Sequence, residues 1–419
     1  MNVTRRNVLL GSAAVMATMA TMATRVRAAQ PKDVAIGVLY PFSGPSAQVG
    51  VDAKFASETA LDIINNRHDL DLPLAKSAGL PGLGGAKVRL VYADHQGDPQ
   101  KGRAEAERLI TQEKVCALIG TYYSSVAVTV SQTAERYGLP YMSADNSSPS
   151  LQRQGLKFFF RAAAHDEMFS KGMFDFYDWM RKKGTKIDTL ALFHEDTIFG
   201  TDSSNAQLKF ASERGYKVVA DIKYHANSPS LTAEVTQLKA ANADVLMPSS
   251  YTTDGILLVK TMAELGYKPK AIVAQAAGFS DKALFDAVGP QIQGLITRGS
   301  FSLDLAAKRP SVGAVNALFK ARAGKDLNDN TSRELMALII LADAIDRAKS
   351  TDGEAIRKAL VATDIPGTRT IMPWKRVKFD AQGQNEDADP VLLQYVKDKL
   401  VTIFPPQAAI AAPIWPMGA

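Results

Sequence analysis

Two adjacent serines, Ser124 and Ser125, stand where a short apolar run ends and a predicted helix begins. The apolar run, residues 115–119, predicts a buried strand, and residues 126–135 are consistent with a helix. Serine is favourable before a helix because its oxygen accepts a hydrogen bond from a free amide of the first turn. A strand end followed by a helix N-terminus suits a small anion such as a carboxylate. The same pattern fits an ordinary turn that binds nothing, so the rest of the chain must decide.

Signatures of catalysis and of metal binding are missing from the sequence. His194 and Glu195 begin like an HExxH zinc motif, but Ile198 stands where the second histidine is required. No GxSxG or GxxxxGK motif is present, no GxGxxG follows a strand, and the five histidines show no metal-ligand spacing. We therefore predict that the protein is not an enzyme, and that it holds neither a metal nor a cofactor.

The composition predicts an ordinary globular protein of two to three domains. The chain has 419 residues, of which 46% are hydrophobic and 22% charged. Its formal net charge is +6, but four arginines lie in an N-terminal segment that we expect to be removed, which leaves about +2. That charge gives no case for nucleic-acid binding. The single cysteine, Cys116, rules out an intramolecular disulfide and is expected to pack as a small apolar residue.

Residues 1–28 read as an export signal, cleaved after about Ala28. A basic start precedes a mildly apolar run, and small residues, Val26 and Ala28, occupy the positions that signal peptidase reads. The pair Arg5-Arg6 resembles a twin-arginine signal, although a general secretory signal remains an alternative. No cysteine follows the signal, which excludes a lipoprotein anchor. We predict a periplasmic protein.

The mature chain alternates strands and helices in two series. The first runs from residue 34 to residue 143, and the second begins near residue 164. Alternation of this kind predicts parallel sheets covered by helices, and hence two α/β lobes. Ligands of such sheets bind beyond the carboxyl ends of the strands, so the loops after Leu39, Asp94, Gly120 and Ser143 should share one edge.

Three segments, IGVLYPFSGPSAQVG, VRLVYADHQGDP and GTYYSSVA, together with the export signal, resemble the periplasmic Leu/Ile/Val-binding proteins. These are the branched-chain amino-acid receptors of ABC importers. The resemblance implies two Rossmann-like lobes with parallel sheets, joined by three hinge strands, that close on a ligand (the type I, Venus-flytrap fold). It implies lobe I at residues 29–163 plus 300–370, lobe II at 164–299 plus 371–405, and a C-terminal tail at 406–419.

The resemblance also implies four ligand contacts. Ser124 matches the serine whose hydroxyl and amide meet the ligand α-carboxylate, and Ser147 matches the hydroxyl residue of the next loop. Phe199 falls where the second lobe places an aromatic over the ligand. Tyr251 falls where a tyrosine contacts the ligand.

The chain departs from the family where the ligand amine binds. The expected glutamate falls at about Gln275, an aromatic falls at about Val49, and a carboxylate, Asp145, stands where a small residue is usual. Asp145 could take over the amine, the ligand could be an amide or another carboxylate instead of an amino acid, or Asp145 could cap residues 147–149 as an Asx turn. Of two neighbouring tyrosines we favour Tyr123 for the pocket. The candidate ligand-binding residues are Tyr123, Ser124, Ser125, Asp145, Ser147, Phe199, Tyr251 and Gln275.

The function implied is that of a monomeric extracytoplasmic receptor for a small polar solute, an amino acid or a related carboxylate or amide. Its partner would be the membrane permease of an ABC transporter. A sensor of the same fold, serving a membrane receptor, is an alternative that the sequence leaves open. An exported α/β hydrolase would need a nucleophile, a base and an oxyanion site, for which no signature is present.

Overall fold

The structure is a computed structural model that describes residues 32–418, so the predicted export signal lies outside the described residues. Strands and helices alternate along most of the chain. The strands are β1 Asp33–Tyr40, β2 Lys87–Asp94, β3 Ala117–Gly120, β4 Tyr141–Ser143, β5 Phe159–Arg161, β6 Thr189–Glu195, β7 Lys217–Tyr224, β8 Val245–Ser249, β9 Ala271–Ala274, β10 Ile296–Gly299, β11 Ile365–Pro366, β12 Arg376–Val377, β13 Val391–Val396 and β14 Lys399–Phe404. The helices are α1 Ala47–Asn65, α2 Pro99–Thr111, α3 Ser124–Arg136, α4 Ser150–Arg153, α5 Asp166–Lys182, α6 Ile198–Glu213, α7 Thr232–Ala241, α8 Thr252–Glu264, α9 Lys282–Val288, α10 Pro310–Ala323, α11 Asp329–Ala348 and α12 Gly353–Val361.

The first lobe is built on a parallel five-stranded sheet in the order β2-β1-β3-β4-β5. The interior strand β1 is apolar on both faces because helices cover both. Ile36 and Val38 pack in the core that α1 and α11 share, whereas Ala35 and Leu39 pack in the core formed with α2 and α3. A strand buried on both sides explains why β1 reads as a continuous apolar run.

The second lobe is built on a seven-stranded sheet in the order β14-β13-β10-β9-β8-β6-β7. The strands from β6 to β10 are parallel, and β13 and β14 complete the edge in antiparallel pairing. Two apolar cores cover its faces. The two sheets confirm the predicted α/β fold.

The chain passes between the sheets three times: between β5 and α5, after β10, and before β13. After the second passage it returns to the first lobe, where α11 packs along α1. These passages correspond to the three predicted hinge strands. They also place α11, which carries several charged side chains, next to the gap between the lobes.

One predicted lobe boundary is wrong. We expected residues 371–405 to belong to the second lobe, but Ile371, Trp374 and Phe379 are buried in the core of the first lobe. Ala388 is the last residue of that core, and the second sheet resumes at Val391. Apolar spacing alone does not reveal which of two similar cores a segment joins.

The C-terminal hairpin also differs from the expectation. In the sequence, residues 375–380 and 392–397 look like two strands that close on a turn near residues 381–383, but β13 pairs with β14 instead. The turn between them is formed by Lys397 and Asp398, both with positive φ, at 47° and 66°. Such turns usually carry Asn or Gly, so this one gives no sequence signal. Beyond β14, the described residues 405–418 contain no helix or strand, yet the backbone of Ile414 bonds the Gln394 side chain.

Candidate ligand-binding cleft

A small cavity lies between the lobes, at the carboxyl ends of the strands. Both lobes contribute to its wall, so the structure represents a closed arrangement. The lining residues are Tyr122, Ser124, Asp145, Ser147, Phe199, Tyr251, Ala277, Arg298, Asn330 and Arg333. Five of the eight candidate residues predicted from the sequence therefore meet at one wall.

The turn before α3 is held in an unusual backbone conformation. Gly120, Thr121 and Tyr122 all have positive φ, at 119°, 124° and 57°. A β-branched residue such as Thr121 rarely adopts this conformation, and strain of this kind concentrates at ligand sites. The turn is fixed by contacts of Thr121, whose hydroxyl bonds the Tyr141 hydroxyl at 2.9 Å and whose carbonyl contacts the His95 ring at 3.0 Å. As a result, the Tyr122 side chain faces the cleft.

Ser124 is the first residue of α3 and does not cap the helix. The residue before the helix is Tyr123, whose side chain makes no capping bond, so the expected serine cap is wrong. Ser124 is 1% exposed and lines the cavity at the helix N-terminus. The Tyr251 hydroxyl approaches the backbone amide of Ser124 from the other lobe. Ser125 is half-buried and lies outside the cavity wall.

Asp145 is buried and forms the centre of a polar network. Its Oδ2 accepts a 2.6 Å hydrogen bond from the Tyr40 hydroxyl, and its Oδ1 lies 3.5 Å from Nε of Arg333, beyond hydrogen-bond length. Burial raises the pKa of Asp145, and the nearby Arg333 opposes that rise. The carboxylate thus bonds Tyr40 instead of the backbone amides of Ser147 and Ser148, so the Asx-turn alternative is wrong. Within the described chain, Oδ1 has no hydrogen-bond partner.

Two buried arginines in the wall were missed by the sequence analysis. Arg333, on α11, contacts Asp329 Oδ2 at 3.0 Å and donates to the Asp145 carbonyl at 3.0 Å. Arg298, at the end of β10, stacks on the Phe169 ring at 3.7 Å and lies 3.4 Å from Asp329. Burial and the neighbouring Arg333 lower the pKa of Arg298 to about 10, so it stays cationic at neutral pH. The signal available was a lone arginine at a strand end.

A proton links Glu334 to this network. The Tyr40 hydroxyl lies 2.6 Å from Asp145 Oδ2 and 2.9 Å from Glu334 Oε2, yet it has one hydrogen to donate. Satisfying both contacts requires a proton on a carboxyl group. Burial, reinforced by the Asp145 charge, raises the pKa of Glu334 to about 8, so Glu334 supplies that proton and donates to Tyr40. Tyr40 in turn donates to Asp145.

Aromatic side chains from both lobes meet across the cleft. The Tyr251 ring lies 4.7 Å from Tyr123, 5.3 Å from Tyr122 and 5.1 Å from Phe199, measured between ring centroids. Tyr122 lines the cavity, whereas Tyr123, which the sequence favoured, is not among the lining residues and bonds the Ser46 hydroxyl at 2.5 Å. These rings supply the apolar part of a wall whose polar anchors fix orientation.

Gln275 lies behind the cavity wall. Its side-chain amide donates to Asp166 Oδ1 at 2.9 Å, and both residues are fully buried at the end of β9 and the start of α5. Burial raises the pKa of Asp166. Ser147 connects this layer to the cavity, since its carbonyl accepts from the Asp166 amide at 2.8 Å. Gln275 therefore does not line the cavity and is connected to it through Asp166 and Ser147.

Two parallel-sheet lobes, three chain passages and a closed polar cleft define a class of protein, the two-lobed solute receptors. The chain belongs to the periplasmic binding protein family, whose profile matches residues 33–399. It is 30% identical over 393 residues to "Leu/Ile/Val-binding protein homolog 7" of Brucella suis biovar 1 (strain 1330), which covers 90% of this chain and 93% of that one.

Solved structures show the same fold. A leucine-binding protein from Thermotoga maritima superposes with a TM-score of 0.75 at 20% identity, covering 88% of this chain and 97% of that one. A solute-binding protein of an ABC transporter from Rhodopseudomonas palustris BisB5, in complex with 3,4-dihydroxybenzoic acid, superposes with a TM-score of 0.73 at 17% identity. The superposition covers 92% of this chain and 99% of that one.

The family and these relatives are solute-binding proteins, which confirms the prediction of a binding protein and not an enzyme. The family implies an extracytoplasmic location. Across residues 32–418, no helix combines the length and the apolar character needed to traverse a bilayer. The same residues contain no group of three or more His, Cys, Asp or Glu side chains arranged to hold a metal ion.

Proposed function

We propose that this protein is the periplasmic receptor of an ABC importer, a monomer that captures a small polar solute between its lobes and presents it to a membrane permease. The observation that carries the proposal is the closed cavity, because both lobes supply polar side chains to its wall. The family membership and the resemblance of the relatives to Leu/Ile/Val-binding proteins support it.

Capture follows from where the polar groups stand. The solute first meets Ser124, Ser147 and the N-terminus of α3 on the first lobe, and closure then brings Phe199 and Tyr251 over it. A solute shifts the protein towards the closed state only to the extent that it binds that state better. The contacts from the second lobe provide this difference, since an open cleft lacks them.

A panel of solutes tests the function. Calorimetry on the purified mature protein, with amino acids, amides, aromatic acids and dicarboxylates, should find at least one solute of micromolar affinity, about −8 kcal/mol. Uptake of that solute by vesicles containing the permease should depend on the protein. Chemical turnover of the solute, or binding of a solute whose uptake does not depend on the protein, would contradict the proposal of an importer receptor.

Ser124→Ala is expected to weaken binding of that solute by about 1–3 kcal/mol, because a hydrogen bond to a charged or strongly polar group is lost. Calorimetry measures the change. Ser131→Ala is the matched control, since the Ser131 hydroxyl bonds a carbonyl of its own helix at 3.0 Å. Ser125→Ala tests the neighbouring candidate, which lies outside the wall and should have a smaller effect. Unchanged affinity in Ser124→Ala would remove this residue from the site.

Asp202→Asn is expected to weaken solute binding by about 1 kcal/mol, roughly fivefold, without changing the solute preference. Asp202, on α6 of the second lobe, accepts hydrogen bonds from the Ser148 hydroxyl and, at 3.1 Å, from the Ser150 amide of the first lobe. These bonds exist only when the lobes are closed. Asp221→Asn is the control, because Asp221 bonds Ser204 within the second lobe. Equal effects of the two changes would argue against a role for Asp202 in closure.

A further inference from the structure

A second cavity adjoins the first and shares two of its residues, Asp145 and Asn330. It extends from the wall at Asp145 towards the first turn of α1. Its lining residues are Val49, Asp52, Ala53, Asp145, Asp281, Asn328, Asn330 and Thr331. Most of these side chains are polar, which is unusual for a pocket that would receive a branched aliphatic group.

Carboxylates from both lobes enclose this second cavity. Asp52 and Asp145 come from the first lobe, Asp281 comes from the second, and each residue is at most 6% exposed. Nζ of Lys325 lies 2.5 Å from Oδ2 of Asp52 and compensates its charge. Asp281 accepts from Thr252 at 2.9 Å and from the Ala283 amide at 3.1 Å, but forms no ion pair within residues 32–418. Closure therefore brings Asp281 towards the other carboxylates without a protein cation dedicated to it.

Two buried polar atoms without hydrogen-bond partners belong to residues that line the two adjoining cavities. Asp145 Oδ1 is a buried acceptor with no hydrogen-bond donor in the described chain, and Nε of Arg298 is a buried donor with no acceptor there. Arg298 lines the first cavity together with Ser124 and Ser147, whereas Asp145 faces both cavities. Buried groups of this kind are rarely left without partners in a native protein. The first cavity thus offers the donors of Arg298, Ser124 and Ser147, and the adjoining second cavity offers carboxylate acceptors.

We propose that the solute carries an anionic or carbonyl oxygen at one end, bound by Arg298, Ser124 and Ser147, and a nitrogen donor at the other, an ammonium or an amide, bound by Asp145 and Asp281. Asp145 and Asp281 are then the residues that determine specificity. This inference rests on the proposed receptor function and adds the chemical class of the solute.

The same geometry disfavours a branched aliphatic side chain in the second cavity. Methyl groups placed against Asp145 and Asp281 would exclude water from both carboxylates without offering a donor, and a buried acceptor atom left without a donor is costly. A site built to bond a polar group rejects the apolar analogue far more strongly than an apolar pocket rejects a polar one. The preference should therefore be large and measurable.

Two pairs of solutes with matched shapes test the proposal by calorimetry on the mature wild-type protein. Asparagine and leucine differ by a carboxamide against two methyl groups, and 4-aminobutyrate and pentanoate differ by an ammonium against a methyl group. In the pair that binds, we expect the member with the nitrogen at its far end, asparagine or 4-aminobutyrate, to bind at least about tenfold more tightly, because that nitrogen donates hydrogen bonds to the carboxylates. This comparison needs no variant and so does not depend on a variant's folding.

Two variants then assign the preference to its residues. Asp281→Asn and Asp145→Asn should each reduce the nitrogen preference at least about threefold, whereas the control Asp286→Asn, exposed on α9, should leave it unchanged. Tighter binding of leucine or pentanoate, equal affinities, or binding only of solutes outside both pairs would overturn this inference and leave the receptor function standing. Binding of no solute in the wider panel would instead overturn the receptor function itself.

Discussion

Arg333→Met is expected to lower the free energy of unfolding by about 3–5 kcal/mol, because it leaves the buried carboxylate of Asp145 without a cation and leaves Asp329 with Arg298 alone. Arg333 contacts Asp329 at 3.0 Å and Asp145 at 3.5 Å, and all three side chains are at most 2% exposed. The carboxylates cannot turn to solvent, since both lobes enclose them. Equilibrium urea unfolding of the mature protein measures the change.

A second substitution separates charge from packing. Adding Asp145→Asn to Arg333→Met removes the uncompensated charge of Asp145 and should recover about 1 kcal/mol or more, as expected for residues in direct contact. Arg357→Met on α12 is the matched control, because its partner Glu354 is 45% exposed and such pairs contribute less than about 1 kcal/mol. A loss below about 1 kcal/mol in Arg333→Met would show that the cleft does not depend on this ion pair.

Glu334→Gln is expected to remove a loss of stability that wild type suffers as the pH rises towards 8. The pKa of Glu334 is raised from 4.5 to about 8 in the folded protein, so unfolding near neutral pH releases one proton. The stability that protonated Glu334 contributes is complete at pH values below the pKa of Glu334 in the unfolded chain. It is lost as the pH rises through the pKa of Glu334 in the folded protein. The slope for one proton approaches about 1.4 kcal/mol per pH unit.

Buried histidines act in the opposite direction at lower pH. Burial lowers the pKa of His95 to about 4 and that of His165 to about 3, both from 6.5. Unfolding then takes up protons below pH 6.5, so these residues destabilise the fold as the pH falls towards their folded pKa values. The effect of Glu334 is therefore clearest between pH 6.5 and pH 8.

The measurement is urea unfolding of wild type and Glu334→Gln at several pH values in that window. The difference in unfolding free energy should shift by about 1–2 kcal/mol in favour of the variant from pH 6.5 to pH 8. Glu264→Gln, on the exposed side of α8, is the control and should run parallel to wild type. Parallel curves for Glu334→Gln as well would mean that Glu334 is ionised in the folded protein.

The sequence predicted the frame of the cleft because its signals are local. Apolar runs with helical segments between them predicted the two α/β lobes, and the family resemblance implied that Ser124, Ser147 and Phe199 meet at the ligand. The backbone conformation at Thr121 and Tyr122 was not predictable, since neither residue type favours positive φ. Tyr122 therefore took the place in the wall that Tyr123 was expected to fill.

The electrostatic part of the cleft was not predictable because it is built from distant residues. Arg333 donates to the Asp145 carbonyl across 188 positions of the chain, and Tyr40 bonds Glu334 across 294. Single charged residues inside apolar helices or at strand ends read as solvated positions until their partners are known. Which carboxyl group holds a proton depends on this three-dimensional arrangement, and so does the polarity of the second cavity.

The contact of Asp202 with the first lobe has a mechanical consequence. Ser150 is the first residue of α4, and the residue before it, Pro149, provides no side-chain cap. The amide of Ser150 is bonded only when the second lobe supplies the Asp202 carboxylate. Closing the cleft thus completes a helix end on the opposite lobe, and opening it frays that end. The presence of a solute in the cleft therefore determines whether the first turn of α4 is ordered.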